Sequence, residues 1–140
     1  MSITTVQNKR GIPAAQAAQE KHSSAGRTSS CTITRELLPS LFAYWLQEQQ
    51  LPWSCLFVLP PWLSMWWQHF NAGFDEHICC VRKGSELIGC APLMLRNDTA
   101  FFMGGADVCD YLDCVIAPGH EQDFYRALLA YAKAQGIRQL

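Results

Sequence analysis

Between Gln49 and Phe74 the chain carries no Asp, Glu, Lys or Arg, and Pro52, Pro60 and Pro61 interrupt the apolar run. A membrane-crossing helix needs about 20 consecutive apolar residues. Prolines spaced this closely break a helix, because each removes a backbone donor and clashes with the preceding turn. Gln68, His69 and Asn71 then end the run. The stretch therefore predicts a helix from Pro61 to about Phe70, buried against the rest of a folded domain, and no membrane span. Proline is tolerated in the first turn of a helix, where its missing N–H would be unpaired anyway. Trp62, Trp66 and Phe70 form one stripe, which Leu63 and Trp67 broaden. Aromatic residues at this spacing bury one helix face, which explains the stripe better than a cofactor box.

The rest of the chain divides around that helix. Residues 1 to 30 are rich in Ala, Gln, Ser, Gly and Lys and lack hydrophobic periodicity, so a disordered N-terminal tail is expected. Residues 31 to 140 form the single folded unit. "CTITREL" reads as a short strand and "LLPSLFAYWLQEQQ" as a helix with Leu38, Leu41, Phe42, Trp45 and Leu46 at helical spacing. "LPWSCLFVL" reads as an extended linker with room for a brief strand. "HICCVRK" and "ELIGCAPLML" are two strands joined at "KGSE", where Gly84 supplies the turn. "TAFFMGG" reads as a third strand ending in a glycine pair, and "DYLDCVI" as a fourth. "PGHEQDFYRALLAYAKAQG" is a helix with Phe124, Leu128, Tyr131 and Ala132 on its core face, stopped by Gly136. "IRQL" begins another strand, so the final strand is either a short edge or the start of a longer protein. The fold class implied is α/β, with a mixed, mainly antiparallel sheet and helices on both faces.

Composition narrows the function classes. The formal net charge is −1 and charged residues make up 16%, without the basic stripe of a nucleic-acid binder. The seven cysteines are an odd number without a C-x-x-C pair, and no apolar leader opens the chain. They are expected to be buried small hydrophobes in a reducing cytoplasm rather than a disulfide framework.

The order of elements resembles the front of the GNAT acyltransferase fold. Within it, "PPWLSMWWQHF", "GSELIGCAPLML" and "FFMGGADVCDYLDCVIAPGHEQDFYRALLAY" resemble the N-terminal part of the CelD/BcsL-type acetyltransferases, FemAB-like tandem GNAT proteins linked by name to cellulose biosynthesis. The shared pattern is a W-x-x-x-W helix, a strand with G-x-x-P-L, a glycine-bearing strand, and D-Y-x-D followed by P-G-H-E. It covers roughly residues 56 to 140. The resemblance implies transfer of an acetyl or acyl group from acyl-CoA to an amine or hydroxyl, in polysaccharide or envelope metabolism. It also implies two GNAT-like halves, with acyl-CoA handled mainly by the second. This chain would be the truncated first half, inactive alone and completed by a missing C-terminal half, a partner chain or a second copy of itself.

A GNAT site holds the cofactor pyrophosphate on amides at a helix N-terminus, in an R-x-x-G-x-G/A loop. The corresponding "APGHEQDFYRALL" has Gly119 but neither a second glycine nor the arginine, and Glu121 and Asp123 bring negative charge where phosphate would sit. No cofactor is expected on this lobe; acetyl-CoA or acyl-CoA enters as the family co-substrate. Gly104 and Gly105 are the weaker cofactor-binding candidates, since glycine pairs more often end a strand. Asp110, Tyr111 and Asp113 are the candidate acceptor-groove residues, with Asp107 able to join them; the plainer alternative makes Asp110 a turn cap and Asp113 a solvated position. If Tyr111 starts a strand, Tyr111 and Asp113 share a face. His22, His69, His77 and His120 show no paired ligand spacing with the cysteines, so no metal site is expected. Two readings from other classes stand beside the enzyme lobe: a non-catalytic protein-interaction module, and the remnant of a truncated gene.

Overall fold

The computed structural model describes residues 30–47, 51–107, 109 and 111–140. The expected N-terminal tail therefore lies outside the described residues, apart from Ser30 at its end. The elements follow the order β1 (Cys31–Glu36), α1 (Leu38–Leu46), α2 (Pro60–Phe70), β2 (Asp75–Lys83), β3 (Glu86–Arg96), β4 (Thr99–Phe102), β5 (Val115–Ile116) and α3 (Glu121–Ala134). The architecture is α/β, with an open, mainly antiparallel sheet flanked by helices.

β2 and β3 are the centre of the sheet. Both read as nearly continuous apolar runs because both faces are covered, and Ile78 to Val81 and Leu87 to Met94 are buried. Side chains alternate between the faces. Ile78, Cys80, Cys90 and Met94 meet Leu38, Leu41, Leu63 and Trp66 from α1 and α2. Cys79, Val81, Ala91 and Leu93 meet Phe124 and Leu128 from α3. A bulge interrupts the alternation: Val81 pairs Gly89 but Arg82 pairs Leu87, leaving Ile88 as the extra residue on β3. Gly89 is required by packing. A Cβ there would stand 2.6 Å from Phe124 Cδ2 and 2.9 Å from the Val115 carbonyl oxygen.

The two edges of β3 differ. Along one edge β2 pairs with it from Asp75–Leu95 to Lys83–Glu86. Along the other, β4 takes Leu93 to Arg96 and β5 takes only Gly89 and Cys90. Pro92 lies in the gap. Its carbonyl accepts from the Met103 amide at 2.8 Å, so its backbone faces this outer edge. Proline has no N–H to offer a ladder. It therefore sits where no strand asks for one.

α1 is fixed from outside its own sequence. Glu76 Oε1 on β2 accepts the Leu38 amide at the helix N-terminus, where a carboxylate also suits the helix dipole. Further along, Tyr44 donates to Glu36 Oε2 at 2.6 Å, and Arg82 donates to Tyr44 at 2.6 Å and to Glu36 Oε1 at 3.1 Å. Burial alone would raise the Glu36 pKa; the bonds from Tyr44, Thr34 and Arg82 bring it below the usual value. Burial, with the Glu36 bond, pushes the Tyr44 hydroxyl up to about 12.

Three local expectations are corrected. The linker from Leu51 to Leu59 holds no strand; a 3-10 turn spans Leu56–Val58. The buried face of α2 is Pro60, Leu63 and Trp66, and Phe70, in the last helical position, is 53% exposed and rests on Trp66. The fourth strand is confined to Val115–Ile116, because β4 already occupies the far half of the β3 edge. After α3 the chain returns to the sheet: Thr99 and Gln139 form one parallel bridge, and the Ala100 amide donates to the Gln139 carbonyl at 2.9 Å. Among the described residues no helix is long and apolar enough to cross a membrane.

Candidate functional site

The connection from Met103 to Cys114 leaves β4 and returns at β5, on the split edge of β3. It carries the residues singled out for acceptor and cofactor binding. Gly104 and Gly105 have φ of 130° and 67°, a region that favours glycine. Both are closed against neighbours. A Cβ on Gly104 would meet Cys109 Sγ and Leu112 Cδ2 at 2.9 Å, and one on Gly105 would meet Trp66 Cζ2 at 3.2 Å. The Cys109 amide donates to the Gly105 carbonyl at 3.1 Å, and the Cys109 thiol donates to the Gly104 carbonyl at 3.2 Å. The glycine pair thus makes a tight turn packed on α2, and among the described residues the next element is β5 and not a helix whose N-terminus could cradle a phosphate.

Tyr111 and Asp113 do not share the face of a strand, since Tyr111 to Cys114 are not in one. Tyr111 is 71% exposed. Asp113 is exposed, and its Oδ1 accepts the Cys114 amide at 2.7 Å, the local turn bond expected of a solvated aspartate. Asp110 lies outside the described residues. Asp107 is exposed. The structure therefore gives Tyr111 and Asp113 solvent access.

The N-terminus of α3 is the other place where chemistry was expected. Glu121, the first helical residue, turns its carboxylate back onto its own amide and onto the Gly119 amide at 3.1 Å. Those backbone donors hold the Glu121 pKa below the usual carboxylate value. Asp123 is tied to Lys83 at 2.7 Å, and this partner lowers its pKa in turn. An anionic ligand would have to displace a built-in carboxylate and approach a second one. The donor set does not fit a pyrophosphate.

His77 was legible only as a residue opening a strand. It is 3% exposed, on the α3 face of β2, with Nε2 3.1 Å from the Tyr131 hydroxyl and Nδ1 buried without a partner among the described residues. Burial lowers its pKa, and the nearby Arg35 guanidinium adds to this. The indole N–H groups of Trp53, Trp62 and Trp66 are likewise buried without partners among the described residues. Two shallow grooves lie away from the β4–β5 connection. One, of about 350 Å³, runs between Cys31 and α3 past Lys83, Asp123 and Arg126. The other, of about 450 Å³, lies between the end of α3 and residues Ile137 to Leu140. Among the described residues no group of His, Cys, Asp and Glu is placed to hold a metal ion.

Compared with known proteins, the chain matches no family model, no curated protein and no solved structure.

Proposed function

We propose that this chain is a GNAT-like N-terminal lobe of a CelD/BcsL-type acyltransferase, one that leaves acyl-CoA to another lobe. The observation that carries the proposal is Glu121. The helix end that holds the pyrophosphate in a catalytic GNAT lobe is filled here by the helix's own carboxylate. Two further features support the reading: the element order, and the return of Gln139 to pair in parallel beside β4 after α3.

In the complete enzyme an acceptor amine or hydroxyl attacks the thioester carbonyl, and a base takes its proton. Aligned N–H donors hold the oxyanion, and the CoA thiolate leaves. This lobe's part is to flank the acceptor, with Tyr111 and Asp113 presented on the β4–β5 connection and Asp110 beside them in sequence. The setting is polysaccharide or envelope metabolism in the cytoplasm, and the completing unit is a C-terminal half or a partner chain.

The intact mass of the native protein in its own host tests this directly. A mass more than twice 15.8 kDa, or a stable complex with a second acyltransferase lobe, is expected. Calorimetric titration of this chain alone with acetyl-CoA is expected to give no binding heat. Specific acetyl-CoA binding by the isolated chain would sink the proposal.

A second reading, a non-catalytic interaction module, is favoured by exposed apolar side chains. Leu129 is 60% exposed and Leu140 55%, and both border the groove at the end of α3. Concentration-dependent dimerisation of a 15.8 kDa native chain would favour that reading instead.

A further inference from the structure

Cys80 and Cys90 face each other across the central strand pair. They are direct register partners on β2 and β3, and their sulfur atoms stand 3.4 Å apart. The hydrogen-bonding phase makes this arrangement suitable for a bond. The Pro92 carbonyl points to the outer edge of β3, so the backbone of Cys90, two residues earlier, also points outward, away from β2. Cys80 and Cys90 therefore form a non-hydrogen-bonded antiparallel pair, in which Cα atoms approach to about 4.5 Å and side chains lie closest. A disulfide accepts Cα separations of about 4.4 to 6.8 Å. Pairing of either with Cys79 is disfavoured by the same geometry. Cys79 lies on the opposite, α3-facing side of the sheet, while Cys80 and Cys90 lie under α1 and α2.

We propose that Cys80 and Cys90 are a latent cross-strand disulfide whose redox state is set while the β2–β3 hairpin is open and is sealed when the helices close over it. Both residues are 0% exposed, so no oxidant reaches them in the folded protein. The Cys90 contact and burial together raise the Cys80 pKa, so in the folded protein Cys80 also lacks the thiolate that attacks a disulfide. In the open hairpin neither restraint holds. The co-reactant is a low-molecular-weight disulfide such as oxidised glutathione. One cysteine thiolate attacks a glutathione sulfur, the S–S bond breaks, and the departing glutathione thiolate takes up a proton. The second cysteine, deprotonated, then attacks the mixed disulfide and expels a second reduced glutathione. The protein loses two hydrogens, and one oxidised glutathione becomes two reduced ones. This inference is independent of the acyltransferase reading.

The test exposes the full chain to oxidised glutathione under two conditions, with intact mass and peptide mapping as readouts. In native buffer, the Cys80–Cys90 link should be absent while the half-buried Cys31 and Cys55 acquire glutathione. When the chain is unfolded in guanidinium and refolded with glutathione, the link should dominate the mapped disulfides. It should then resist reduced glutathione at least tenfold longer in the folded protein than in guanidinium. Rapid linkage in native buffer would overturn the sealing. Refolding that yields other pairings, or none, would overturn the pair itself. Cys90→Ala serves as a control that abolishes the link; if that variant does not fold, the mapping of the unaltered chain still decides.

Discussion

The two edges of β3 show how one strand can be scaffold on one side and variable on the other. Toward β2 the ladder runs from Glu86 to Leu95, with one bulge, and the flanking side chains are buried on both faces. Toward the outer side the same strand is shared between four residues of β4 and two of β5, with Pro92 in the gap. A substitution's effect should therefore depend on which edge its backbone faces more than on how buried it is. Ala91 and Pro92 are neighbours, both buried, and they face opposite edges.

The sharpest test places a proline on the wrong edge. Ala91→Pro removes an N–H aimed at Cys79 on β2 and should cost about 3 kcal/mol or more, enough to prevent folding of a marginal domain. Urea denaturation followed by circular dichroism would measure it; an unchanged midpoint would end the distinction between the edges. Next comes Gly89→Ala, whose new methyl would collide with Phe124 and the Val115 carbonyl. Overpacking of this kind costs roughly 1–3 kcal/mol. Adding Phe124→Leu should recover part of the loss on the ring side, and a strictly additive double mutant would show that the backbone contact dominates.

Acid should weaken the β2 side in two steps. The folded pKa of His77 is below its ordinary 6.5, so the unfolded chain takes up a proton first as pH falls. Stability contributed by neutral His77 is complete above about pH 6.5 and declines below it, until the folded histidine also titrates. Glu36 acts lower: its folded pKa is also depressed, so its contribution is present above 4.5 and lost as pH falls through the folded value. Thermal melts across pH 2 to 8 should show both declines. In Tyr131→Phe the first should persist, because burial and not the Tyr131 bond leads the shift. The smallest effect is expected for Pro92→Ala. It restores an N–H that faces the gap and should shift stability by less than about 1 kcal/mol, the opposite of its neighbour.

The central elements were legible because their signals are local. β2 and β3 announce themselves as apolar runs around Gly84, and α3 carries Phe124, Leu128 and Ala132 at helical spacing. The fourth strand was misjudged because "DYLDCVI" has a strand's alternation without the partner to use it: β4 occupies most of the available edge. Phe70 belongs to the aromatic stripe by spacing, yet it sits in the last position of α2 and stays half exposed. The site was read more through chemistry than through geometry. Negative charge at the start of α3 was visible in Glu121 and Asp123, but that Glu121 would fold back onto the Gly119 amide depends on a rotamer that no local pattern encodes. His77 and Tyr131 were both in view, and their contact was not, because it joins β2 to α3 across the fold.

Pro92 also bears on how such a sequence can change over time. The connection between β4 and β5 departs from and returns to one strand edge, so residues can be gained or lost there without shifting any register in the sheet. Doubling a flexible loop costs only about 0.6 kcal/mol in closure entropy. A strand that asks for no N–H partner at a single proline on its outer edge lets its neighbours drift in length while the β2 pairing, and with it the core, stays fixed.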